Sequence, residues 1–134
     1  MSGINYNHPI ETSKSDNRIP SVTFFTNGLC PYSQRVALAL EWKGITHNMM
    51  EIDLSSKPGW YMRRAKTKLV PAIELDGQAF SESLDLVRLL DRKFTPLGFR
   101  PLLPRATEHI AAVQALVRFA PQLEAAGWAL LGGK

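Results

Sequence analysis

The sequence predicts an α/β fold in which a βαβ unit joins a ββα unit around a small mixed sheet, followed by one or two further helices. Three observations predict it. Strand-like and helix-like hydrophobic patterns alternate from residue 21 to residue 94 in the order β, α, β, α, β, β, α. Asp76-Gly77, a pair suited to a type I′ turn, separates the two consecutive strand patterns. Prolines then concentrate in residues 95–104, before a last helical pattern.

The βαβ unit comes first. Residues 21–26 form an apolar run typical of a buried strand. Residues 31–43 carry apolar side chains at helical spacing and are followed by Gly44, a residue that favours the end of a helix. Residues 46–53 are predicted to form the second strand.

The ββα unit follows a short helix. Residues 58–64 predict that helix, because Pro58 suits a first helical turn. Residues 69–75 and 78–80 predict the two strands of a hairpin. Ser81 is predicted to begin the next helix, whose leucines recur at helical spacing.

The composition changes after Phe94. The predicted organisation is a flexible tail over 1–20, the α/β domain over 21–94, a linker over 95–105 and the start of a helical domain over 106–134. A helix is predicted over 106–120, and Pro121 is expected to interrupt it before a shorter apolar stretch. One or two helices cannot bury their own apolar stripe, so the side chains of Ile110, Val113 and Val117 need a cover.

The bulk properties favour a soluble globular protein of one ordinary domain. The chain has 134 residues, of which 45% are hydrophobic and 21% charged, and no apolar run approaches the roughly 20 residues that span a bilayer. A single cysteine suits a reducing compartment, so a cytoplasmic location is expected. The three histidines are isolated from other ligand residues, so no metal site is expected.

The net charge of +4 raises the question of an anionic partner. The densest basic stretch, residues 63–68, has no interleaved aromatic residues for base stacking, so no nucleic acid is expected as a partner. A solvated helix end or a basic rim that attracts a small anion is the better interpretation.

Cys30 is the candidate nucleophile. It lies where the first strand pattern gives way to the first helix, and the unpaired N–H groups of a helix start favour a thiolate over a thiol. The alternative is a buried cysteine that acts as a small hydrophobic residue. Ser33 stands where a Cys-x-x-Cys pair would have its second cysteine, so any disulfide must form with another molecule.

Four motifs at consistent spacings resemble a known family. They are Cys30-Pro31-Tyr32-Ser33-Gln34-Arg35-Val36, Lys57-Pro58-Gly59-Trp60, Leu69-Val70-Pro71-Ala72-Ile73 and Ser81-Glu82-Ser83. Together they resemble the thioredoxin-like amino-terminal domain of a cysteine-type glutathione transferase, in the style of the omega, dehydroascorbate reductase and lambda classes. The resemblance implies a thioredoxin-like domain over 21–94 and an incomplete all-α domain after the linker.

The resemblance also implies site residues. Cys30 is similar to the nucleophile, and the glutathione-binding residues would be Tyr32, Lys57, Val70, Pro71, Glu82 and Ser83. The backbone of Val70, before a cis Pro71, would pair with the cysteinyl part of glutathione as an added strand does. Glu82 and Ser83 would hold the γ-glutamyl end, although the same residues also suit a helix cap. Lys57 would pair with the glycyl carboxylate; its alternative is a solvated surface lysine.

The activity that the resemblance implies is glutathione-dependent thiol transfer or reduction. Deglutathionylation or dehydroascorbate reduction would proceed through a Cys30–glutathione mixed disulfide, with glutathione as co-substrate, a small-molecule or glutathionylated acceptor, and no metal. Two departures stand out: residues 65–68 replace an Asn-Pro-x-Gly-type turn of relatives, and relatives carry a much longer helical domain. The alternative function is therefore a non-catalytic glutathione-binding or interaction protein that self-associates, for example as a homodimer, or associates with a membrane.

Overall fold

The elements of the protein follow one another in the predicted order. A computed structural model describes residues 17–132, so most of the predicted tail lies outside the described residues. The elements are β1 Val22–Thr26, α1 Pro31–Lys43, β2 Asn48–Glu51, α2 Gly59–Arg64, β3 Ala72–Leu75, β4 Gln78–Ser81, α3 Ser83–Phe94, a short 3₁₀ helix Thr95–Leu97 and α4 Thr107–Leu130.

The strands form one mixed sheet in the order β2-β1-β3-β4. β1 and β2 are parallel, whereas β1 with β3 and β3 with β4 are antiparallel. Asp76 and Gly77 both have positive φ angles, 48° and 87°, as a type I′ turn requires between β3 and β4. The predicted βαβ-ββα arrangement with its mixed sheet is therefore confirmed.

Two apolar clusters cover the two faces of the sheet. Phe24 and Phe25 are neighbours on β1 and point to opposite faces, as successive strand residues do. The larger cluster joins Phe24 to α1 and α3, and the smaller one joins Phe25 to Tyr61 of α2 and Ala72 of β3. The helices thus lie on both sides of the sheet, with α1 and α3 on one face and α2 on the other.

Two predicted boundaries are wrong or too wide. Ser81 does not begin a helix: it ends β4, and α3 begins at Ser83. The reason is Glu82, whose φ of 75° turns the chain sharply from strand to helix within one residue. β2 covers only Asn48–Glu51 of the predicted 46–53, and all four of its residues are exposed at the edge of the sheet.

Pro121 does not interrupt the last helix. α4 runs from Thr107 to Leu130 with Pro121 inside it. A proline removes one backbone hydrogen bond, but strong helix formers on both sides continue the pattern, and Glu124 anchors the second half to α1. None of the residues of α4, all of them in the described part of the chain, is buried. Within residues 17–132, no helix is long and apolar enough to cross a membrane.

A buried charged network fixes the segment between α3 and α4. The Lys43 side chain has no exposed surface, and its ammonium donates to Asp91 Oδ1 at 2.9 Å. The same ammonium also donates to Thr95 Oγ1 and to Arg100 O, at 2.9 and 2.8 Å. The Asp91 carboxylate in turn accepts hydrogen bonds from the backbone N–H groups of Leu102 and Leu103. The predicted linker is thus attached to the α/β domain along this part of its length.

Candidate active site

Cys30 occupies the N-cap position of α1. Its backbone is extended, with φ −87° and ψ 114°, and its carbonyl accepts the first helical hydrogen bond, from Gln34 N–H at 3.2 Å. The side chain is partly exposed and makes no capping hydrogen bond. Its Sγ atom lies 3.9 Å from the Val70 carbonyl oxygen. The alternative of a cysteine sealed in the core is therefore wrong, because the residue is partly exposed and lies at a helix start.

The loop before Cys30 is held at several points. Asn27 accepts a hydrogen bond from Cys30 N–H through its carbonyl oxygen, and its side chain bridges Leu29 N–H and the Ile52 carbonyl. Gly28 N–H donates to Glu51 of β2 at 2.9 Å. These bonds connect the loop to the neighbouring strand, so the position of the sulfur is set by the sheet.

Five of the six predicted glutathione-binding residues surround one cavity. Its volume is about 160 Å³, and its lining residues are Tyr32, Thr67, Leu69, Val70, Pro71, Glu82 and Ser83. Lys57 lies half-buried before α2 and is not among them. Thr67 and Leu69 were not predicted from the sequence. Cys30 is not a lining residue either, but its Sγ atom is next to the carbonyl of Val70, which is one. Distant parts of the chain thus meet near Cys30; the roles of the residues toward a tripeptide stay predictions.

The Val70–Pro71 peptide bond is cis, as the resemblance implied. Pro71 is buried and Val70 is partly buried against the smaller cluster. The carbonyl of the preceding residue, Leu69, accepts a hydrogen bond of 2.6 Å from the hydroxyl of Tyr61. Tyr61 is fully buried, and this burial raises the pKa of its hydroxyl to about 12. The edge of the cavity is therefore attached to the core through Tyr61, a residue that was not predicted to belong to the site.

Glu82 and Ser83 form the opposite wall. Glu82 has a positive φ of 75° with a ψ of 110°, a conformation outside the left-handed helical region that non-glycine residues rarely adopt and that costs about 1–3 kcal/mol. This conformation places the Glu82 carboxylate at the surface while Ser83 is buried at the first turn of α3. Strained residues of this kind cluster at ligand sites. The Ser83 hydroxyl accepts a hydrogen bond of 3.3 Å from Arg35 of α1.

Helix α4 reaches this site through one carboxylate. Glu124 pairs with Arg35 and accepts a hydrogen bond of 3.1 Å from the Tyr32 hydroxyl. The hydrogen bond and the charge of Glu124 raise the pKa of Tyr32 above its ordinary value. The Arg35 guanidinium also lies 5.2 Å from the centre of the Tyr32 ring. Tyr32 is thus fixed beside Cys30 by groups from α1 and α4.

The described residues contain no cluster of three or more His, Cys, Asp or Glu side chains that could hold a metal ion. The groups that the site does present are the Cys30 sulfur, the backbone of residues 69–71 and the polar groups at the start of α3.

A thioredoxin-like sheet with a partly exposed cysteine at the first helix, a cis-proline edge and a Glu-Ser helix start defines a glutathione transferase-type amino-terminal domain. Residues 25–97 match the family description "Glutathione S-transferase, N-terminal domain". This match covers more than half of the chain, and the chain belongs to the glutathione S-transferase family.

Individual relatives agree with this assignment. The chain is 36% identical over 73 residues to glutathione S-transferase L3 of Arabidopsis thaliana, a match that covers 52% of this chain and 31% of the relative. It is 39% identical over 67 residues to glutathione S-transferase DHAR2 of the same plant, over 50% and 32% of the two chains. The crystal structure of glutathione transferase Omega 3C from Trametes versicolor is 30% identical, with a TM-score of 0.69, and the match covers 78% of this chain and 45% of that one. The chain thus spans about a third of the length of these curated relatives.

Sequence reasoning missed several residues of the site. Arg35 stood inside the first motif, but its two partners, Ser83 and Glu124, are 48 and 89 residues away in sequence. Tyr61 carried one available signal, since a tyrosine in an apolar helix face needs a partner for its hydroxyl. That signal predicts a hydrogen bond without naming the acceptor.

Proposed function

We propose that the protein is a glutathione-dependent thiol transferase or reductase that works through a mixed disulfide between Cys30 and glutathione. The observation that carries this proposal is the position of the Cys30 sulfur: partly exposed, at a helix start, 3.9 Å from the Val70 carbonyl at the edge of the cavity. A helix start favours the thiolate, which is the attacking form in disulfide exchange. A cytoplasmic, reducing location suits such a thiol.

The proposed exchange has two balanced steps. The Cys30 thiolate attacks the glutathione sulfur of a glutathionylated acceptor, the sulfur–sulfur bond of the acceptor breaks, and the acceptor leaves as a thiolate that takes a proton. The thiolate of a second glutathione then attacks the glutathione sulfur bound to Cys30, which releases oxidised glutathione and the Cys30 thiolate. With dehydroascorbate as acceptor, the Cys30 thiolate would add to a carbonyl carbon, and the thiolate of a first glutathione would attack the Cys30 sulfur, so that the carbon–sulfur bond breaks and ascorbate leaves with the electron pair and a proton. The resulting Cys30–glutathione mixed disulfide would then be resolved by a second glutathione as above.

The cavity walls suit a tripeptide in this reaction. An extended peptide would pair with the backbone of Val70 in the manner of an added strand, which places a cysteinyl sulfur next to Cys30. At the other wall, the Glu82 carboxylate suits an α-ammonium, and the hydroxyl and N–H of Ser83 suit an α-carboxylate. Arg35 accounts for one lone pair of the Ser83 oxygen and leaves its proton free for such a carboxylate. Lys57 is proposed to meet the glycyl carboxylate from outside the cavity.

The test replaces Cys30 by serine. We expect Cys30→Ser to lose deglutathionylation of a glutathionylated peptide while its affinity for glutathione stays within about twofold, because the serine hydroxyl is not ionised at neutral pH. Mass spectrometry of the unaltered protein after incubation with oxidised glutathione should show one glutathionyl group on Cys30. Leu29→Ala is the matched control, since Leu29 is 95% exposed in the same loop. Full turnover by Cys30→Ser would refute the assignment of the nucleophile.

The second candidate is a glutathione-binding interaction protein without turnover. It is favoured by the exposure of large apolar side chains along α4, among them Leu116 at 69% and Leu123 at 60%. Sedimentation velocity combined with the transfer assay separates the two candidates. A self-associated protein that binds glutathione but transfers no thiol would support the second.

A further inference from the structure

The hydroxyl of Tyr61 attaches the chain segment that precedes Val70 to the core. The Tyr61 ring is fully buried on α2 and packs against Phe25 and Trp60, with ring centres 5.3 and 5.8 Å away. Its hydroxyl donates to the Leu69 carbonyl at 2.6 Å. The other local bond of Leu69, from its N–H to Thr67 Oγ1, is much longer at 3.4 Å, and the Leu69 residue is 56% exposed. Side-chain packing therefore does little to orient this segment.

Peptide planarity connects that bond to the cavity. The Leu69–Val70 peptide is trans, so its C=O and the following N–H lie in one plane and point in opposite directions. A hydroxyl that fixes the direction of the Leu69 carbonyl therefore fixes the direction of the Val70 N–H. The carbonyl points toward the core at Tyr61, and the N–H points away from it.

The preceding loop makes this attachment necessary. Residues 65–68 take the place of the Asn-Pro-x-Gly-type turn, and Lys68 adopts a φ of 57°, a conformation that glycine adopts at little cost. The loop is closed by a single backbone bond, from Lys68 N–H to Ala65 O at 3.0 Å. A loop that ends in a strained lysine does not by itself define the orientation of the next peptide.

We propose that Tyr61 is a positioning residue for glutathione: through the Leu69–Val70 peptide, its hydroxyl aims the Val70 N–H at the cysteinyl carbonyl of the bound tripeptide. This inference rests on the proposed function, because it concerns how the same cavity holds its co-substrate. Tyr61 itself does not touch glutathione. Its hydroxyl stays protonated throughout the neutral range, since burial raises its pKa to about 12.

The test compares Tyr61→Phe with Phe94→Leu in the full chain. Phenylalanine keeps the ring and its packing and removes only the donor, whereas Phe94 is a fully buried residue of the larger cluster, away from the cavity. We expect Tyr61→Phe to raise the Kd and the KM for glutathione by about 3- to 10-fold, the range that one hydrogen bond supplies. The kcat at saturating glutathione should stay within about twofold. Phe94→Leu should lower the melting temperature and leave both glutathione constants unchanged.

A second measurement does not depend on glutathione. In ¹⁵N–¹H spectra of the free protein, the Val70 amide resonance should shift in Tyr61→Phe by clearly more than in Phe94→Leu. If the unaltered protein binds glutathione and Tyr61→Phe binds it equally well, the inference about Tyr61 is overturned and the proposed function stands. If the unaltered protein binds no glutathione, the proposed function fails and the role of Tyr61 toward glutathione falls with it. An unmoved Val70 resonance would in addition refute the peptide mechanism.

Discussion

The buried ion pair between Lys43 and Asp91 offers a sharp quantitative prediction. The Lys43 side chain is fully buried and the Asp91 side chain is 14% exposed, so each charge depends on the other for compensation. Removing one partner of a buried pair costs about 3–5 kcal/mol, because the remaining charge is left without compensation. We expect Asp91→Asn to lower the free energy of unfolding by an amount within this range, since the Lys43 ammonium, 2.9 Å from the carboxylate, would then face a neutral amide.

The perturbations are Lys43→Met, Asp91→Asn and the double variant, each measured by urea unfolding of the full chain at neutral pH. Lys43→Met should cost less than Asp91→Asn, because Asp91 keeps the hydrogen bonds from Leu102 and Leu103. The losses of unfolding free energy in the two single variants, added together, should exceed the loss in the double variant by about 1.5–3 kcal/mol, the coupling typical of contacting charged groups in a network. A coupling energy below about 0.5 kcal/mol would show that the pair behaves as a solvent-exposed one and would refute the reasoning.

The same pair predicts the pH dependence of stability. Burial alone would raise the pKa of Asp91, but the hydrogen bonds from Leu102 N–H, Lys43 and Thr95 outweigh it and hold the pKa below its ordinary value. Because the pKa of Asp91 is lower in the folded state, its ionised carboxylate stabilises the fold fully when the pH is above the pKa of the unfolded state, about 3.9. This stabilisation is lost as the pH falls through the pKa of the folded state. The stability difference between the unaltered protein and Asp91→Asn should therefore shrink as the pH is lowered from about 6 to about 3.

Two further predictions concern the site itself. The hydroxyl of Ser33 is buried and has no hydrogen-bond partner among the described residues, so Ser33→Ala should raise the free energy of unfolding by about 0.5–2 kcal/mol. The control Ser55→Ala removes an exposed hydroxyl bonded to Asp53 and should not raise it. A destabilised Ser33→Ala would contradict this prediction. Glu82→Gly should raise the free energy of unfolding by about 0.5–1 kcal/mol, because glycine adopts a positive φ at little cost, whereas Glu82→Gln should leave it unchanged. Both variants should weaken glutathione binding. Equal stability of the two variants would argue against backbone strain at Glu82.

The fold was largely predictable because its signals are local. The helix that begins at Pro31 and ends before Gly44, and the turn at Asp76-Gly77, each follow from residues whose backbone preferences agree with their neighbours. The helix start predicted at Ser81 and the interruption predicted at Pro121 were wrong because tertiary structure overrides such preferences there. Glu82 accepts an unfavourable backbone angle at the junction of β4 and α3, and Pro121 is carried inside a long helix that Glu124 anchors to α1.

The site was predictable only in part, since its geometry depends on contacts between distant segments. Cys30, Val70 and Glu82 could be named from motifs, each of which is short and contiguous in sequence. The contacts of Arg35 with Ser83 and Glu124, and the bond of Tyr61 to a backbone carbonyl, depend on how α1, α2 and α4 are placed around the sheet. A backbone acceptor has no sequence signature, so the partner of Tyr61 could not be inferred.

The braced loop before Cys30 has a consequence for which acceptors could react. Disulfide displacement requires the attacking, central and leaving sulfurs to lie nearly on one line. Because Asn27 and Glu51 tie that loop to the neighbouring strand, the backbone that carries the attacking sulfur is held in place before any partner arrives. In the proposed exchange, an acceptor would therefore react only if its leaving sulfur can lie on the side of the glutathione sulfur opposite Cys30.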